Sequence, residues 1–312
     1  MKLFVMSDIH GDYKAMMAAI KESGYDKKNP DHQIVVIGDY FGRATTGKGP
    51  YGIWRYLISN THKNKPICIK GNHEEYFVAK MLEKGFVSDL DEQNGEDKTI
   101  LSFFANIKNI NKDPNIMDPV YDYLNSLPKK PEPNDFYDRY FSRNYQYEEA
   151  VAAVNILGEG KQLKEWCDNL PYYFETKNYV FTHGWLPYRQ VKKSPKLSDY
   201  QYDMFYDYKD LDKYSDEDWH HWIWTKTPFD YAQHCSYFPN GWDKWIVVGH
   251  WHAFAFGPRA EFFDGWWSKE DVKPEEYNYV VDEKHKVIFC DHCTVYGHKI
   301  NMLVLEDELL DE

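Results

Sequence analysis

The N-terminal third of the chain alternates short apolar runs with amphipathic stretches. The runs "KLFVMS" (2–7), "QIVVIGD" (33–39) and "PICIKGN" (66–72) are typical of buried strands, and the stretches 12–23 and 50–60 have helical periodicity. Strands that alternate with helices form a mostly parallel sheet. Ligands of such sheets bind beyond the carboxyl ends of the strands, so the residues that follow each run are candidate functional residues.

Polar side chains follow the apolar runs at these ends. Asp8 and His10 follow the first run, and because strand side chains alternate, residues two apart face the same side and reach one common point. Asp12, by contrast, is the predicted N-cap of the first helix. Two later runs, "NYVFTHGW" and "KWIVVGHWH", end in histidines. The remaining strand-end candidates are Asp39, Asn72, His73, His183, His250 and His252.

These side chains are carboxylates, an amide and imidazoles, with no thiolate among them. Such a ligand set suits Mn²⁺, Fe or Zn²⁺. A single histidine after a strand is more often structural than a ligand, but five strand ends of this kind in one chain predict a dinuclear site. A carboxylate shared between two ions about 3.5–4 Å apart forms a clamp for in-line displacement at phosphorus.

The composition limits what such a site acts on. The 312 residues carry a formal net charge of −13, which argues against long nucleic acids as partners. No run reaches the ~18 apolar residues of a membrane span, and the N-terminus lacks the pattern of a secretion signal. Five cysteines without a framework spacing indicate reduced thiols. We therefore expect a cytoplasmic protein with no membrane partner.

The rest of the chain is less regular. Residues 86–97 are acidic and polar and predict a loop. Residues 95–170 have helical periodicity and predict a helical insertion, without chemistry of its own, in a single domain that spans 1–312. Residues 186–243 are aromatic, charged and irregular, with a helix predicted around 216–224. The C-terminal tail predicts three strands joined by two turns.

The ordered motifs resemble those of the calcineurin-like metallophosphoesterase superfamily, and within it the phosphoprotein-phosphatase branch. The family pattern runs GDxHG, GDxxDRG, GNHE, HG and GH, and the chain has "SDIHG", "GDYFGR", "GNHEE", "THGW" and "GHWH" in the same order. The resemblance covers roughly residues 1–80 and 178–256 with the C-terminal strands. It implies an α/β fold, a four-layer α/β/β/α sandwich with a helical insertion.

The resemblance also implies a role for each matched residue. Two divalent metal ions are expected, Mn²⁺ above all, with Fe or Zn²⁺ as alternatives. A hydroxide held between them would attack phosphorus while His73 protonates the leaving oxygen and Arg43 binds the phosphate through its planar guanidinium. The implied ligands are Asp8, His10 and His252 for the first ion, Asn72, His183 and His250 for the second, and Asp39 as the bridge.

The role of His252 has an alternative. The phosphoprotein-phosphatase branch often lacks this second histidine of "GHWH", whereas the broader superfamily has it. Besides a ligand of the first ion, His252 can therefore be a hydrogen-bonded imidazole at the rim of the pocket.

The chain departs from the family pattern at Gly42, which stands where GDxxDR has its second aspartate. In the family that aspartate orients the catalytic histidine, and losing such a partner typically costs about 10–100-fold in affinity or activity. Either another carboxylate replaces it in space, or a backbone carbonyl orients His73 and the enzyme is slower or prefers an easy leaving group.

Three residues outside the ligand set are further candidates. Arg189 is the only arginine in 184–249 and is either a substrate contact or an ordinary surface residue. Asp291 and His292, in "FCDHCTV", are candidates for the pocket lining. The two cysteines of that motif predict packing rather than a zinc site, because no second CxxC pair completes one.

Several functions are compatible with this sequence. The favoured one is a metal-dependent phosphoric ester hydrolase, a phosphatase acting on phosphoserine or phosphothreonine in a protein or on a small phosphorylated molecule. A dinucleoside polyphosphate hydrolase or phosphodiesterase is the alternative, because the GHxH ending is common there and the aromatic segment 186–243 could stack a base. A catalytically weakened metal-binding module is the alternative of another class, supported by Gly42.

Overall fold

Two sheets are built from the apolar runs and the C-terminal tail. The computed structural model describes residues 1–43, 49–113, 115–127, 143–144, 147–187, 189–191, 203–205, 208–224, 244–253, 279–283, 286–300 and 302–310. The strands are β1 (Lys2–Ser7), β2 (His32–Ile37), β3 (Ile67–Ile69), β4 (Val87–Ser88), β5 (Arg143–Asn144), β6 (Tyr173–Glu175), β7 (Tyr179–Thr182), β8 (Arg189–Val191), β9 (Asp203–Phe205), β10 (Trp245–His252), β11 (Val280–Asp282), β12 (Val287–Asp291) and β13 (Leu303–Glu306).

Helices surround these sheets. Their bounds are α1 (Tyr13–Ser23), α2 (Gly49–Leu57), α3 (Ala79–Lys84), α4 (Asp89–Gln93), α5 (Glu96–Phe104), α6 (Asp118–Ser126), α7 (Glu148–Ile156), α8 (Gly160–Asp168), α9 (Asp216–Trp222) and α10 (Thr294–Gly297). A π-helical turn (His73–Val78) precedes α3, and a 3₁₀ helix (Tyr208–Lys213) precedes α9.

The first sheet has the strand order β13-β1-β2-β3, and the second has the order β11-β12-β10-β7-β6. Strands β1, β2 and β3 are parallel, as are β7, β10 and β12, whereas β13, β6 and β11 are antiparallel to their neighbours. The prediction of a mostly parallel arrangement is confirmed, and the carboxyl ends of the parallel strands lie together at one edge of each sheet.

The two sheets pack face to face. Along β1, Leu3 and Val5 lie in a buried cluster with Phe181 and Val247 of the second sheet, whereas Phe4 belongs to a cluster with the helices. Burial on both faces explains why the strand is a continuous apolar run rather than an alternating one.

Helical segments cover the outer faces of both sheets. The outer side of the first sheet packs against α1, α2 and the helices of the insertion, and the outer side of the second packs against Trp185, Leu186 and Trp219. The four-layer α/β/β/α sandwich implied by the family resemblance is confirmed.

The predicted N-cap of the first helix is confirmed, and a glycine ends α3. The side chain of Asp12 accepts a hydrogen bond from Ala15 N at 2.9 Å, so Asp12 is the N-cap of α1. Gly85, with φ of 77°, ends α3 in the left-handed conformation, and its N–H donates to Met81 O.

The predicted loop at 86–97 is wrong. This segment contains β4, α4 and the first turn of α5. Ser88 caps α4 in a capping box with Asp91, a local signal that the acidic composition hides. The helical prediction for the region that follows is confirmed by α5 to α8, and the tail has its three strands, with α10 between β12 and β13.

The structure describes four of the five cysteines. Cys68, Cys167, Cys290 and Cys293 are buried, with no disulfide among the described residues, and Cys235 lies outside them. In the described part of the chain, no helix combines the length and the apolar sequence needed to cross a bilayer.

Candidate metal centre

The predicted ligands follow the carboxyl ends of the parallel strands, where the backbone turns sharply. Asp8, His10, Asp39 and His250 have positive φ angles of 51°, 46°, 51° and 61°. This region is uncommon for residues other than glycine, and such conformations cluster at functional sites. The turns direct these side chains into one shared space between the two sheets.

Two groups of side chains can each hold a metal ion, and they share one carboxylate. His10, Asp39 and His73 form one group, and Asp39, His183 and His250 form the other, with the ligand atoms of each group within 4.8 Å of one another. Asp39 Oδ2 lies 3.8 Å from His10 Nε2, whereas Asp39 Oδ1 lies 3.3 Å from His183 Nε2. The two oxygens of Asp39 therefore face different groups, as a bridging carboxylate requires.

His10 and His183 present Nε2 inward and use Nδ1 for an outer hydrogen bond. Nδ1 of His10 lies 3.1 Å from the carbonyl oxygen of Phe41, and Nδ1 of His183 lies 2.9 Å from that of Ile37. Because a carbonyl oxygen only accepts, each Nδ1 carries a proton, and Nε2 is the ring atom left to face a cation. This is how proteins orient histidines that bind metals.

The side-chain amide of Asn72 supports the fit to a cation. Its inward atom lies 2.9 Å from both His183 Nε2 and His250 Nδ1, and 3.2 Å from Asp39 Oδ2. If the amide nitrogen points inward, it donates to these acceptors. If the amide oxygen points inward, its lone pair joins those of the surrounding acceptor atoms. A divalent cation is the partner that such a convergent donor set fits.

Asp8 lies between the first and second sheets. Its carboxylate oxygens accept the backbone N–H of His250 at 3.2 and 3.0 Å, and its Oδ1 is 3.9 Å from His10 Nε2. Ser7 Oγ also donates to it. Burial, together with the charge of Asp291, raises the pKa of Asp8 well above its usual range. A cation next to this carboxylate would favour its ionised form.

The imidazoles of the centre differ in their pKa values. Burial lowers the pKa of His10 to about 3 and that of His250 to about 3. Burial also opposes the protonation of His183, but the charge of Asp39 and a hydrogen bond to it raise the pKa of His183 to about 10. His10 and His250 are therefore held neutral, the form in which imidazole binds metals.

His252 lies at the end of β10, beside Asp291 at the end of β12. The two residues are directly paired in the register of these parallel strands, and His252 Nδ1 is 2.8 Å from Asp291 Oδ2. His252 is in neither metal-binding group, and its side chain is 27% exposed. Both predicted roles, ligand of the first ion and rim residue, are compatible with this position. His292 is buried near the ring of Tyr279.

His73 opens the π-helical turn, and its ring is buried against Glu96. Its Nδ1 lies 2.7 Å from Glu96 Oε1, and its Nε2 lies 3.9 Å from Asp39 Oδ2. Burial disfavours the protonated ring, but the charge of Asp39 and the hydrogen bond to Glu96 raise the pKa of His73 above its usual value. The structure also brings His73 into the same group as His10.

Glu96 was missed in the sequence because it lies in the segment predicted as a loop. The insertion, predicted to carry no chemistry of its own, contacts His73 through the first residue of its first helix. The only signal in the sequence was indirect: Gly42 lacks the carboxylate that the family has. The structure agrees with the hypothesis that another carboxylate takes that place.

The structure describes the side chain of one of the two predicted arginines, Arg43, but not that of Arg189. Arg43 is exposed, with a φ of 48°, and it directly follows Gly42, whose Cβ would touch His73, so it lies at the mouth of the centre. Arg189 begins β8, opposite Phe205, and its side chain lies outside the described part of the structure.

One aromatic residue of the irregular segment borders the centre. The side chain of Trp224 is 45% exposed, and its ring lies 6.2 Å from that of His250 and 5.9 Å from that of Phe77. The sequence singled out the aromatic segment as a whole but gave no reason to select Trp224.

A four-layer sandwich with two metal-binding groups at adjoining strand ends is the arrangement of metal-dependent phosphoric ester hydrolases. The family model described as calcineurin-like phosphoesterase matches residues 1–254, and the chain belongs to this family. The family uses divalent metals, and the two groups that share Asp39 are the candidate ligands for them in this chain.

The solved structures that match the chain share little sequence with it. A cold-active protein-tyrosine phosphatase from a psychrophilic Shewanella species is 13% identical, with a TM-score of 0.43, and the match covers 98% of this chain and 75% of that one. A protein serine/threonine phosphatase from Saccharomyces cerevisiae is 13% identical, with a TM-score of 0.35 and coverage of 100% and 81%. No curated protein sequence matches the chain significantly.

Proposed function

We propose that the chain is a dinuclear metal-dependent phosphatase that hydrolyses phosphate monoesters. The substrate is a phosphoserine or phosphothreonine protein or a small phosphorylated molecule. The observation that carries the proposal is the position of Asp39, whose two oxygens face two different metal-binding groups. The preference for monoesters is supported by Arg43, which stands in the motif of the phosphoprotein-phosphatase branch.

Each ligand is assigned to one ion or to both. When bound, the two divalent cations supply Lewis acidity toward phosphoryl oxygens and make water more acidic. Mn²⁺ suits the oxygen and imidazole donors, as do Fe and Zn²⁺. The proposed ligands are Asp8, His10 and His252 for the first ion, Asn72, His183 and His250 for the second, and Asp39 for both.

His73 and Arg43 act on the substrate itself. With its Nδ1 bonded to Glu96, His73 presents Nε2 to the centre and there gives a proton to the leaving oxygen. Arg43, exposed at the mouth, binds phosphoryl oxygens through its planar guanidinium and orients the ester.

A second candidate function is favoured by Trp224. Its half-exposed indole ring beside His250 is a flat apolar surface on which a planar group can stack. A dinucleoside polyphosphate or a phosphodiester with a base in its leaving group provides such a ring.

The proposal also includes a single domain with a helical insertion. Ile100, Val151 and Leu163 of the insertion lie in one buried cluster with Phe4 and Val36 of the first sheet. One cooperative unfolding transition is expected, and two separate transitions would contradict it.

The test combines metal analysis with a substrate panel. The purified protein is stripped with a chelator, reloaded with Mn²⁺, and assayed on p-nitrophenyl phosphate, bis-p-nitrophenyl phosphate, a phosphothreonine peptide and diadenosine tetraphosphate, beside the His73→Asn variant. Metal-dependent monoester turnover that falls in the variant supports the proposal. Preference for the diester or the dinucleotide supports the second candidate, and bound metal without turnover of any substrate indicates a metal-binding module.

A further inference from the structure

The carboxylate that faces His73 comes from outside the matched motifs. Glu96 is the first residue of α5, its side chain is fully buried, and only Oε1 is bonded to His73, whereas Oε2 has no hydrogen-bond partner among the described residues. Burying a carboxylate in this way costs free energy, so packing alone does not explain a glutamate at this position. The contact with His73 offsets this cost, as do a hydrogen bond with Thr99 and the position of Glu96 in the first turn of a helix.

Gly42 and Glu96 use the same space. A Cβ atom at Gly42 would lie 2.6 Å from Glu96 Oε1 and closer still to His73 Nδ1. Gly42 also has a φ of 69°, which disfavours any side chain. The backbone at Gly42 therefore leaves room for a carboxylate only if that carboxylate comes from another element.

The segment that carries Glu96 also forms hydrogen bonds with the backbone of Gly42 and Arg43. Asn94 O accepts the backbone N–H of Arg43 at 2.6 Å, and Thr99 Oγ1 accepts that of Gly42 at 3.2 Å. At Gly95, a Cβ atom would lie 2.5 Å from Arg43 N, so only glycine permits this approach. The segment Asn94–Thr99 thus contacts the arginine loop and the histidine at once.

We propose that Glu96 is the positioning residue for His73: it accepts the Nδ1–H of the imidazole and so directs Nε2 toward the leaving oxygen, in place of a side chain at position 42. This inference rests on the proposed function, since it gives His73 the role of proton donor. Glu96 touches no substrate and acts only through His73.

The main test is a double-mutant cycle of Glu96→Ala and His73→Asn. We expect Glu96→Ala to lower kcat by about 10–100-fold, with bound Mn²⁺ and the KM for p-nitrophenyl phosphate unchanged. In the His73→Asn background the same substitution is expected to change kcat by less than about twofold, because its route of action is already lost. The loss is larger with phenyl phosphate, whose leaving oxygen depends more on protonation.

The matched control is Asp97→Ala. Asp97 is the next buried carboxylate of the same helical turn and interacts with Tyr147 rather than His73, so its removal leaves kcat within about twofold. Thermal unfolding of each variant is measured in parallel, and Glu96→Gln replaces Glu96→Ala in the cycle if the smaller side chain prevents folding. An undiminished loss in the His73→Asn background, or an equal loss with both leaving groups, overturns the proposal.

A second measurement needs no turnover. At a pH where the ring of His73 is neutral, its ¹⁵N chemical shifts report which ring nitrogen keeps the proton, and we expect the Nδ1–H form in the parent protein and a mixture of forms in Glu96→Ala. An unchanged tautomer in Glu96→Ala overturns the positioning role. A protein that turns over no phosphate ester, yet loses this tautomer in Glu96→Ala, instead contradicts the proposed function and leaves the positioning role intact.

Discussion

His73 and His252 each contact a carboxylate through Nδ1, and these two pairs have the same chemistry and different origins. The distance from Nδ1 to the carboxylate is 2.7 Å between His73 and Glu96 and 2.8 Å between His252 and Asp291. The first pair is buried, with 1% and 0% of its side chains exposed, whereas 27% of the His252 side chain is exposed. We call them the helix pair, His73–Glu96, and the strand pair, His252–Asp291.

Different structural elements bring the two residues of each pair together. The strand pair joins residues of neighbouring parallel strands, and an irregularity of β10 between Val248 and His252 brings His252 opposite Asp291. The helix pair joins the first residues of two helices that are separate in the chain, and it exists only because α5 packs against the π-helical turn and α2. The helix pair therefore depends on all the residues that position the insertion.

The largest effect is expected at Asp39, which faces both sides of the centre. Asp39→Ala is expected to release both metal ions and to lower kcat/KM by about 1,000-fold, equivalent to roughly 4 kcal/mol of transition-state stabilisation. Metal analysis and a kinetic assay check this. Asp307→Ala removes a buried carboxylate bonded to Thr176, away from the metal-binding groups, and serves as the control. Two ions retained in Asp39→Ala would show that the groups do not share this residue.

The next largest effect is expected from a substitution that disrupts the helix pair alone. Gly42→Ala places a methyl group against both His73 and Glu96, and kcat is expected to fall by about 10–100-fold while the strand pair stays intact. The control is Gly24→Ala, whose φ of 77° carries the same backbone strain but whose Cβ has nothing within 4 Å. Equal kinetics in the two variants would contradict the steric argument.

A smaller effect is expected when the strand pair is broken. Asp291→Asn removes the charge next to His252, and because His252 is partly exposed we expect a loss of about 10-fold in Mn²⁺ affinity or in activity. Titration of the stripped protein with Mn²⁺ measures it. A loss greater than that of Glu96→Ala would reverse the order of the two pairs and would favour His252 as a ligand over His252 as a rim residue.

The smallest effect concerns the surface beside the centre. Trp224→Ala is expected to raise KM by about fivefold for substrates with a planar leaving group and to leave kcat unchanged, because stacking contributes on the order of 1 kcal/mol. The Michaelis curves for p-nitrophenyl phosphate and for a phosphothreonine peptide are compared. Tyr121→Ala alters an equally exposed aromatic on α6 and is the control. A higher KM for the peptide as well would assign Trp224 a role beyond stacking.

Much of the candidate centre could be predicted because its residues follow buried strands. Asp8, Asp39 and His183 each come directly after an apolar run, and parallel strands bring their carboxyl ends together whatever the loops do. Glu96 and Trp224 follow no such run, and nothing in their local sequence marks them. Their positions depend on how helical segments pack, which hydrophobic periodicity does not specify.

The sequence by itself determined the buried strands, the order of the candidate ligands at their ends and the absence of a carboxylate at Gly42, because these follow from local patterns of burial and from motif spacing. Only the tertiary structure decided which carboxylate faces His73. Glu96 reaches His73 because α5 packs against the π-helical turn. The backbone at Gly42 lies so close to both side chains that no side chain fits at that position. Such contacts join residues far apart in the chain, and each depends on the packing of whole elements rather than on the residues that make it.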